Sequence, residues 1–170
     1  MRLLKWLFSS TQTNTSDSTK EDHARGKYLP EEKTPIDEAF TKHFIHNGGK
    51  FLYCENVDEI HTQFDHILLE NDWYERKVIT THSQLANTFK GFNLEFTDLN
   101  CDKAAFMLTD CEALVSKNGS ILFSSKQLKE KKVNELPTNI IVYATTRQYV
   151  ETISEGLRQI KQRNQKVLYR

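Results

Sequence analysis

Ile140-Ile141-Val142-Tyr143 is an unbroken apolar run, and few architectures can hold one. A strand with one wet face alternates apolar and polar residues, so a continuous run calls for apolar cover on both sides, as inside a parallel sheet. Shorter runs precede it at Phe51-Leu52-Tyr53-Cys54, at Lys77-Val78-Ile79-Thr80 and over residues 104–108. Segments with helical spacing lie between them. Thr34-Pro35-Ile36-Asp37 reads as a helix start, with a Thr cap, Pro at the first helical position and an acid in the first turn. Ile36, Phe40 and Phe44 make its apolar stripe, and Gly48-Gly49 supplies a left-handed stop. Asn56 caps the next helix with Glu59 in the capping-box position, and Val57, Ile60, Phe64, Ile67 and Leu68 form its inner face. Residues 113–123 read as a hairpin turning at Asn118-Gly119. A charged helical stretch is expected ahead of Pro137. A last helix is expected after Thr145-Thr146, with Val150, Ile153, Leu157 and Ile160 facing inward. Strands alternating with helices predict the α/β class: a three-layer α/β/α sandwich with a mainly parallel sheet and one antiparallel excursion at the hairpin.

The chain's 170 residues suffice for one domain without covalent staples. Residues 1–8 read as a short amphipathic N-terminal segment, because Leu3, Leu4, Leu7 and Phe8 fall at helical spacing beside Arg2 and Lys5. Weak peripheral membrane contact is the role such a segment could serve. Residues 9–29, rich in Ser, Thr, Asp, Asn and Lys, read as a flexible linker, and residues 30–170 as the folded domain. No apolar run approaches the roughly 20 residues of a transmembrane helix, and no secretory leader is recognisable. Lys and Arg total 23 and Asp and Glu total 23, a balance that speaks against a nucleic-acid binder. Cys54, Cys101 and Cys111 stand far apart, which suggests reduced thiols in a cytoplasmic protein. A Cys-ligated iron–sulfur cluster needs four thiolates, more than this chain holds.

Ligands of open α/β sheets bind beyond the carboxyl ends of the strands. Two such ends are rich in hydroxyls: Thr80-Thr81-His82-Ser83, and Thr145-Thr146-Arg147. Each could offer backbone N–H groups and hydroxyls to an anion, with Arg147 adding a guanidinium fork; the plainer reading is that these residues are ordinary helix caps. Thr109-Asp110-Cys111-Glu112 marks a third strand end, where Glu112 is the candidate catalytic carboxylate. His43 and His46 lack a third ligand nearby, and the spacing of His61 and His66 turns them to different faces, so no metal site is expected. Lys126, Lys129, Lys131 and Lys132 form a basic cluster that reads as a solvated helix or an attractor for an anionic partner. No P-loop, dinucleotide fingerprint or nucleophile elbow is present, and no cofactor is expected.

Residues 104–163 resemble the central part of the LUD (lactate utilisation) domain, of the lactate utilisation protein C type. The likeness rests on Thr109, Ala113-Leu114-Val115, the hairpin Asn118-Gly119-Ser120-Ile121-Leu122, and the Leu136-Pro137 step into Thr138-Asn139-Ile140-Ile141-Val142. Tyr28-Leu29-Pro30 through Asn47-Gly48-Gly49-Lys50-Phe51 looks like one branch of the same family. Where members often read Ala-Glu-Thr-Gly-Thr, this chain has Ser116-Lys117-Asn118-Gly119-Ser120. The resemblance implies a fold similar to the ribose-phosphate isomerase and coenzyme A transferase group. It also implies an accessory, non-cluster component of L-lactate oxidation to pyruvate, working beside iron–sulfur partner proteins and binding a small anionic metabolite. Thr80, Thr81, Thr109, Asn118, Gly119, Ser120, Thr145, Thr146 and Arg147 are the expected ligand-binding residues. The competing readings are a stand-alone enzyme acting on a sugar phosphate or acyl-coenzyme A through Glu112, and a pure protein-interaction domain.

Overall fold

The computed structural model describes residues 34–97, 103–129 and 131–168, and the backbone of residues 3–8. In chain order the elements are β1 (Leu3–Phe8), α1 (Ile36–His46), β2 (Gly49–Cys54), α2 (Val57–Asn71), β3 (Lys77–Thr80), α3 (Ser83–Thr88), β4 (Glu95–Thr97), β5 (Phe106–Asp110), β6 (Ala113–Val115), β7 (Ser120–Leu122), α4 (Ser125–Leu128), β8 (Ile140–Thr145), β9 (Tyr149–Val150) and α5 (Ile153–Leu168). Six strands form one sheet in the order β2-β1-β8-β5-β3-β4. β8, β5, β3 and β4 are mutually parallel. β1 runs antiparallel to both β2 and β8, so β2 points the same way as β8 and β1 alone is reversed. This is an α/β fold with a mainly parallel sheet.

Both faces of the central strands are covered, as the unbroken run at residues 140–143 requires. Ile141 and Tyr143 of β8, Phe106 and Leu108 of β5 and Val78 of β3 pack with Ile60, Phe64, Ile67 and Leu68 of α2 and with Leu85 and Phe89. Phe64 is the hub of this core. Its ring lies 4.3 Å from that of Phe89, 5.0 Å from Phe92 and 6.2 Å from Phe106, separations that favour tilted and edge-to-face aromatic contact. On the other face Val142 and Ala144 of β8 pack with Phe40 and Phe44 of α1 and with Leu114 of the hairpin. Met107 and Ile79 form a smaller cluster with Leu128 and Leu136.

Local signals account for several boundaries. Asn56 accepts the Glu59 N–H at 2.9 Å and so caps α2, while the Glu59 carboxylate reaches back to the Glu55 N–H at 2.7 Å. Gly48, at φ +88°, turns α1 into β2. β6 and β7 form the expected antiparallel hairpin, and a second, three-stranded sheet arises because β9 adds parallel to β6. Gly119 sits at φ +69° in the hairpin turn, where a Cβ would lie 2.5 Å from the Phe44 backbone nitrogen. The turn therefore rests directly on the last turn of α1.

Other expectations are corrected. The N-terminal apolar segment is a strand, not a helix suited to a membrane surface. Its short run does not distinguish the two periods, two turns of helix are marginal alone, and the slot between β2 and β8 satisfies its backbone on both sides. The linker at residues 9–29 lies outside the described residues, as does Cys101. Pro35, not Thr34, flanks the start of α1, without a side-chain cap. Val57 is exposed, as the first residue of α2 clear of its neighbours. The charged stretch before Pro137 is one turn of α-helix, stopped at Lys129 with φ +41°, and then a single 3-10 turn at Val133–Glu135. Val150 belongs to β9. The last helix begins only at Ile153, and Glu155 N–H donates to the Thr152 hydroxyl at 3.2 Å. Ile153 and Leu157 are exposed, because Gly156 lets the helix approach Leu122 and Ala113. Among the described residues no helix is long and apolar enough to cross a membrane.

Gly119→Ala combines a left-handed residue with a backbone clash and should destabilise the fold by about 2–4 kcal/mol. Gly91, which has open space around its missing Cβ, should tolerate Ala with little change. Urea denaturation of both variants checks the contrast.

Candidate functional site

The parallel strands β3, β5 and β8 are neighbours, so their carboxyl ends meet. Thr80 is level with Leu108 and Asp110 with Tyr143, so the residues following β3 come alongside Asp110. His82 Nε2 lies 3.1 Å from Asp110 Oδ1. The contact has ion-pair distance without hydrogen-bond alignment, for Nε2 is buried and lacks a hydrogen bond. The same Asp110 oxygen accepts from Gln127 Nε2 at 3.1 Å. Gln127 is 3 % exposed, and its Oε1 accepts from the Ser124 N–H at 2.8 Å. The residue that caps α4 thus also fixes the amide that holds Asp110.

Glu112 is held at both carboxylate oxygens. Ser124 Oγ donates to Oε1 at 2.8 Å, and Arg163 of α5 reaches Oε2 at 3.2 Å. Arg163 also donates to the Glu112 carbonyl at 3.2 Å. Between these two carboxylates, Cys111 is pinned by Gln148. Gln148 Nε2 donates to the Cys111 carbonyl, while its Oε1 accepts from the Thr145 N–H at 2.6 Å and the Thr145 hydroxyl at 3.1 Å. A chain of polar contacts thus runs from His82 through Asp110, Gln127, Ser124 and Glu112 to Arg163. Burial pushes the Cys111 thiol far above the usual range; the Asp110 and Glu112 charges add to this, and Arg163 offsets part of it.

The expected ligand residues divide into separate groups. Thr80 and Thr81 follow each other off β3. The Thr80 hydroxyl accepts from the His82 N–H at 3.3 Å, and the Thr81 hydroxyl is buried without a hydrogen-bond partner. Thr145, the last residue of β8, and Thr146, just past it, are half-buried, and Arg147 is exposed. Thr109 is completely buried within β5, its hydroxyl donating to the Asp110 carbonyl at 3.1 Å. Asn118, Gly119 and Ser120 are not at the strand ends: the hairpin turn packs on α1, where Asn47 Nδ2 donates to the Asn118 carbonyl at 2.8 Å. His43 Nδ1 lies 2.6 Å from the neighbouring Ser116 carbonyl. Sequence reasoning missed His82, Ser124, Gln127, Gln148 and Arg163 as site members. The only signal for three of them was their placement at turn and cap positions, which reads as local structure.

An opening lies between α1 and β2. It holds about 400 Å³ and is bounded by Phe51, Tyr53, Thr146 and Tyr149 and by the first turns of α1. Comparison with protein-family models, with curated proteins and with solved structures finds no match for this chain.

The thiol gives a pH dependence of definite sign. Above about pH 8.5 an unfolded cysteine ionises while folded Cys111 keeps its proton, so the native state binds more protons and stability falls as pH rises. The contribution approaches about 1.4 kcal/mol per pH unit. Urea midpoints measured on either side of this value should decline in the parent protein and decline less steeply in Cys111→Ala.

Proposed function

We propose that this chain is a cytoplasmic accessory component of an L-lactate oxidation system of the LUD type. It carries no cluster of its own, holds a small anionic metabolite beyond β3, β5 and β8, and docks iron–sulfur partner proteins. One observation carries the reading: three parallel strand ends converge, and there the Thr81 hydroxyl is buried without a hydrogen-bond partner. Buried polar atoms are normally paired, so an orphan hydroxyl where strand ends converge is what a ligand would satisfy. Arg147, exposed just past β8, provides a cation for a carboxylate. The family resemblance itself rests on the sequence order of hairpin, Leu-Pro step and buried strand, and an α/β fold with a mainly parallel sheet is compatible with it. The finer fold assignment, a three-layer sandwich of the ribose-phosphate isomerase and coenzyme A transferase type, belongs to this proposal.

Glu112 fits the rival enzymatic reading poorly. Both of its oxygens are engaged and its side chain is 11 % exposed, so it acts as a fixed strut more readily than as a free base. Partner docking has its own support: Ile153 and Leu157, one turn apart on α5, are both exposed.

The test is a thermal-shift panel of L-lactate, pyruvate, coenzyme A and sugar phosphates against the parent protein and a Thr81→Val plus Arg147→Ala variant. Val is nearly isosteric and removes an orphan hydroxyl, so the variant should fold at least as stably. A ligand near a hundred times its dissociation constant adds about 2.7 kcal/mol, a shift of several degrees for a domain of this size. The proposal expects lactate or pyruvate to give that shift in the parent and to lose most of it in the variant. A shift that survives both substitutions, or one confined to sugar phosphates or coenzyme A, would refute it.

A further inference from the structure

We infer that the outer face of α5, with the lysines of α4 beside it, is a contact surface for an anionic membrane. Ile153, Leu157, Lys161 and Asn164 follow one another at i, i+4, i+8 and i+11, so they form one stripe along the helix. Ser154, Arg158 and Gln165 flank that stripe on one side. All seven residues are exposed, and none is acidic. The opposite face is the one that packs: Gly156 approaches Leu122 and Ala113, and Arg163 answers Glu112. Glu155, the acid of this helix, is turned away from the stripe, its carboxylate accepting from the Glu151 N–H at 3.0 Å. Lys126 carries the basic surface on to α4, its Nζ lying 3.2 Å from Asn164 Oδ1. Lys129, also exposed, ends α4 one turn later.

Lys126, Lys129, Arg158 and Lys161 form no ion pair among the described residues, although the chain carries as many acids as bases. The excess of positive charge is therefore local. Cations beside an anionic leaflet gain from its surface potential. Ile153 and Leu157, 43 % and 56 % exposed, would leave water for the acyl boundary, as the apolar residues of helices lying in a membrane interface do. Those two side chains alone would suit a protein partner equally well; the cations around them favour lipid. A second copy of the chain would set Lys161 against residues of the same charge. An acidic protein would have to immobilise several long side chains, each at an entropic cost, and lysine is depleted from protein–protein interfaces. A fluid layer of headgroups neutralises the same charges without fixing them.

The test is co-sedimentation of the full chain with vesicles of equal parts phosphatidylcholine and phosphatidylserine, set against vesicles of phosphatidylcholine alone. Binding should be confined to the anionic vesicles and should fall as salt is raised, because exposed charges are screened. Lys126→Glu plus Lys161→Glu should weaken it by about tenfold or more. Lys90→Glu plus Lys103→Glu, the same change of charge at exposed lysines elsewhere, should weaken it far less. Leu157→Gln, at a side chain already in water, should weaken it without lowering the melting temperature, and provides an independent reading should the charge variant fold poorly. Absence of binding to the anionic vesicles would overturn the proposal, and so would equal losses in the two charge variants. Displacement from the vesicles by soluble poly-glutamate, with affinity unchanged in Leu157→Gln, would give the face to an acidic protein and overturn it as well. None of these outcomes depends on whether lactate binds at the strand ends.

Discussion

The β5–β8 ladder is dry on both faces. Phe106, Met107, Leu108 and Thr109 of β5 and Ile141 and Val142 of β8 have no exposed surface, and the rest of the molecule is arranged to keep them so. Burying one large apolar side chain is worth about 1.5–3 kcal/mol, which favours helices on each side and leaves little tolerance for polar atoms along the strands. Polarity is displaced to where the cover ends. The hydroxyls, carboxylates and amides of the candidate site begin at Asp110 and Thr145, the last residues of these strands.

The turn that follows β5 is held less by charge than by amides. Arg163 is half exposed, and ion pairs in contact with water contribute only about 0–1 kcal/mol. Gln127 is buried and bridges Ser124 to Asp110, and Gln148 bridges Thr145 to Cys111. Losing either side chain would leave partners unsatisfied inside the protein, at about 1–3 kcal/mol each. Each glutamine serves as a local cap and as a tertiary tie. That dual use makes the turn rigid, and it also makes the residues inconspicuous.

Much of the fold was legible because its determinants are local. The unbroken run at residues 140–143 announced a strand covered on both faces, Asn56 with Glu59 announced a helix start, and Asn118-Gly119 announced a hairpin. The errors arose where pattern and packing diverge. Val150 continues a helical spacing into Ile153 and Leu157, yet Val150 pairs with Val115 in a sheet. The close approach of α5 is made at Gly156, a residue that no hydrophobic pattern counts. Leu3–Phe8 carries an apolar run too short to separate a helix from a strand. The site was legible at Thr80, Thr81 and Thr145–Arg147, which end strands or directly follow them. It was not legible in the Glu112–Arg163 contact, which joins residues 51 apart, nor in His82 meeting Asp110, which depends on the order of strands in the sheet.

The clamping of Asp110, Cys111 and Glu112 has a consequence for synthesis. Apart from His82, which meets Asp110, the groups that fix this turn come later in the chain: Ser124 and Gln127, then Gln148, then Arg163. A nascent chain emerges from its N-terminus, so β5 can be complete and paired with β3 while the turn beyond it is still unset. The turn reaches its final geometry only after α5 has been made and has docked, which ties competence of the candidate site to arrival of the last helix.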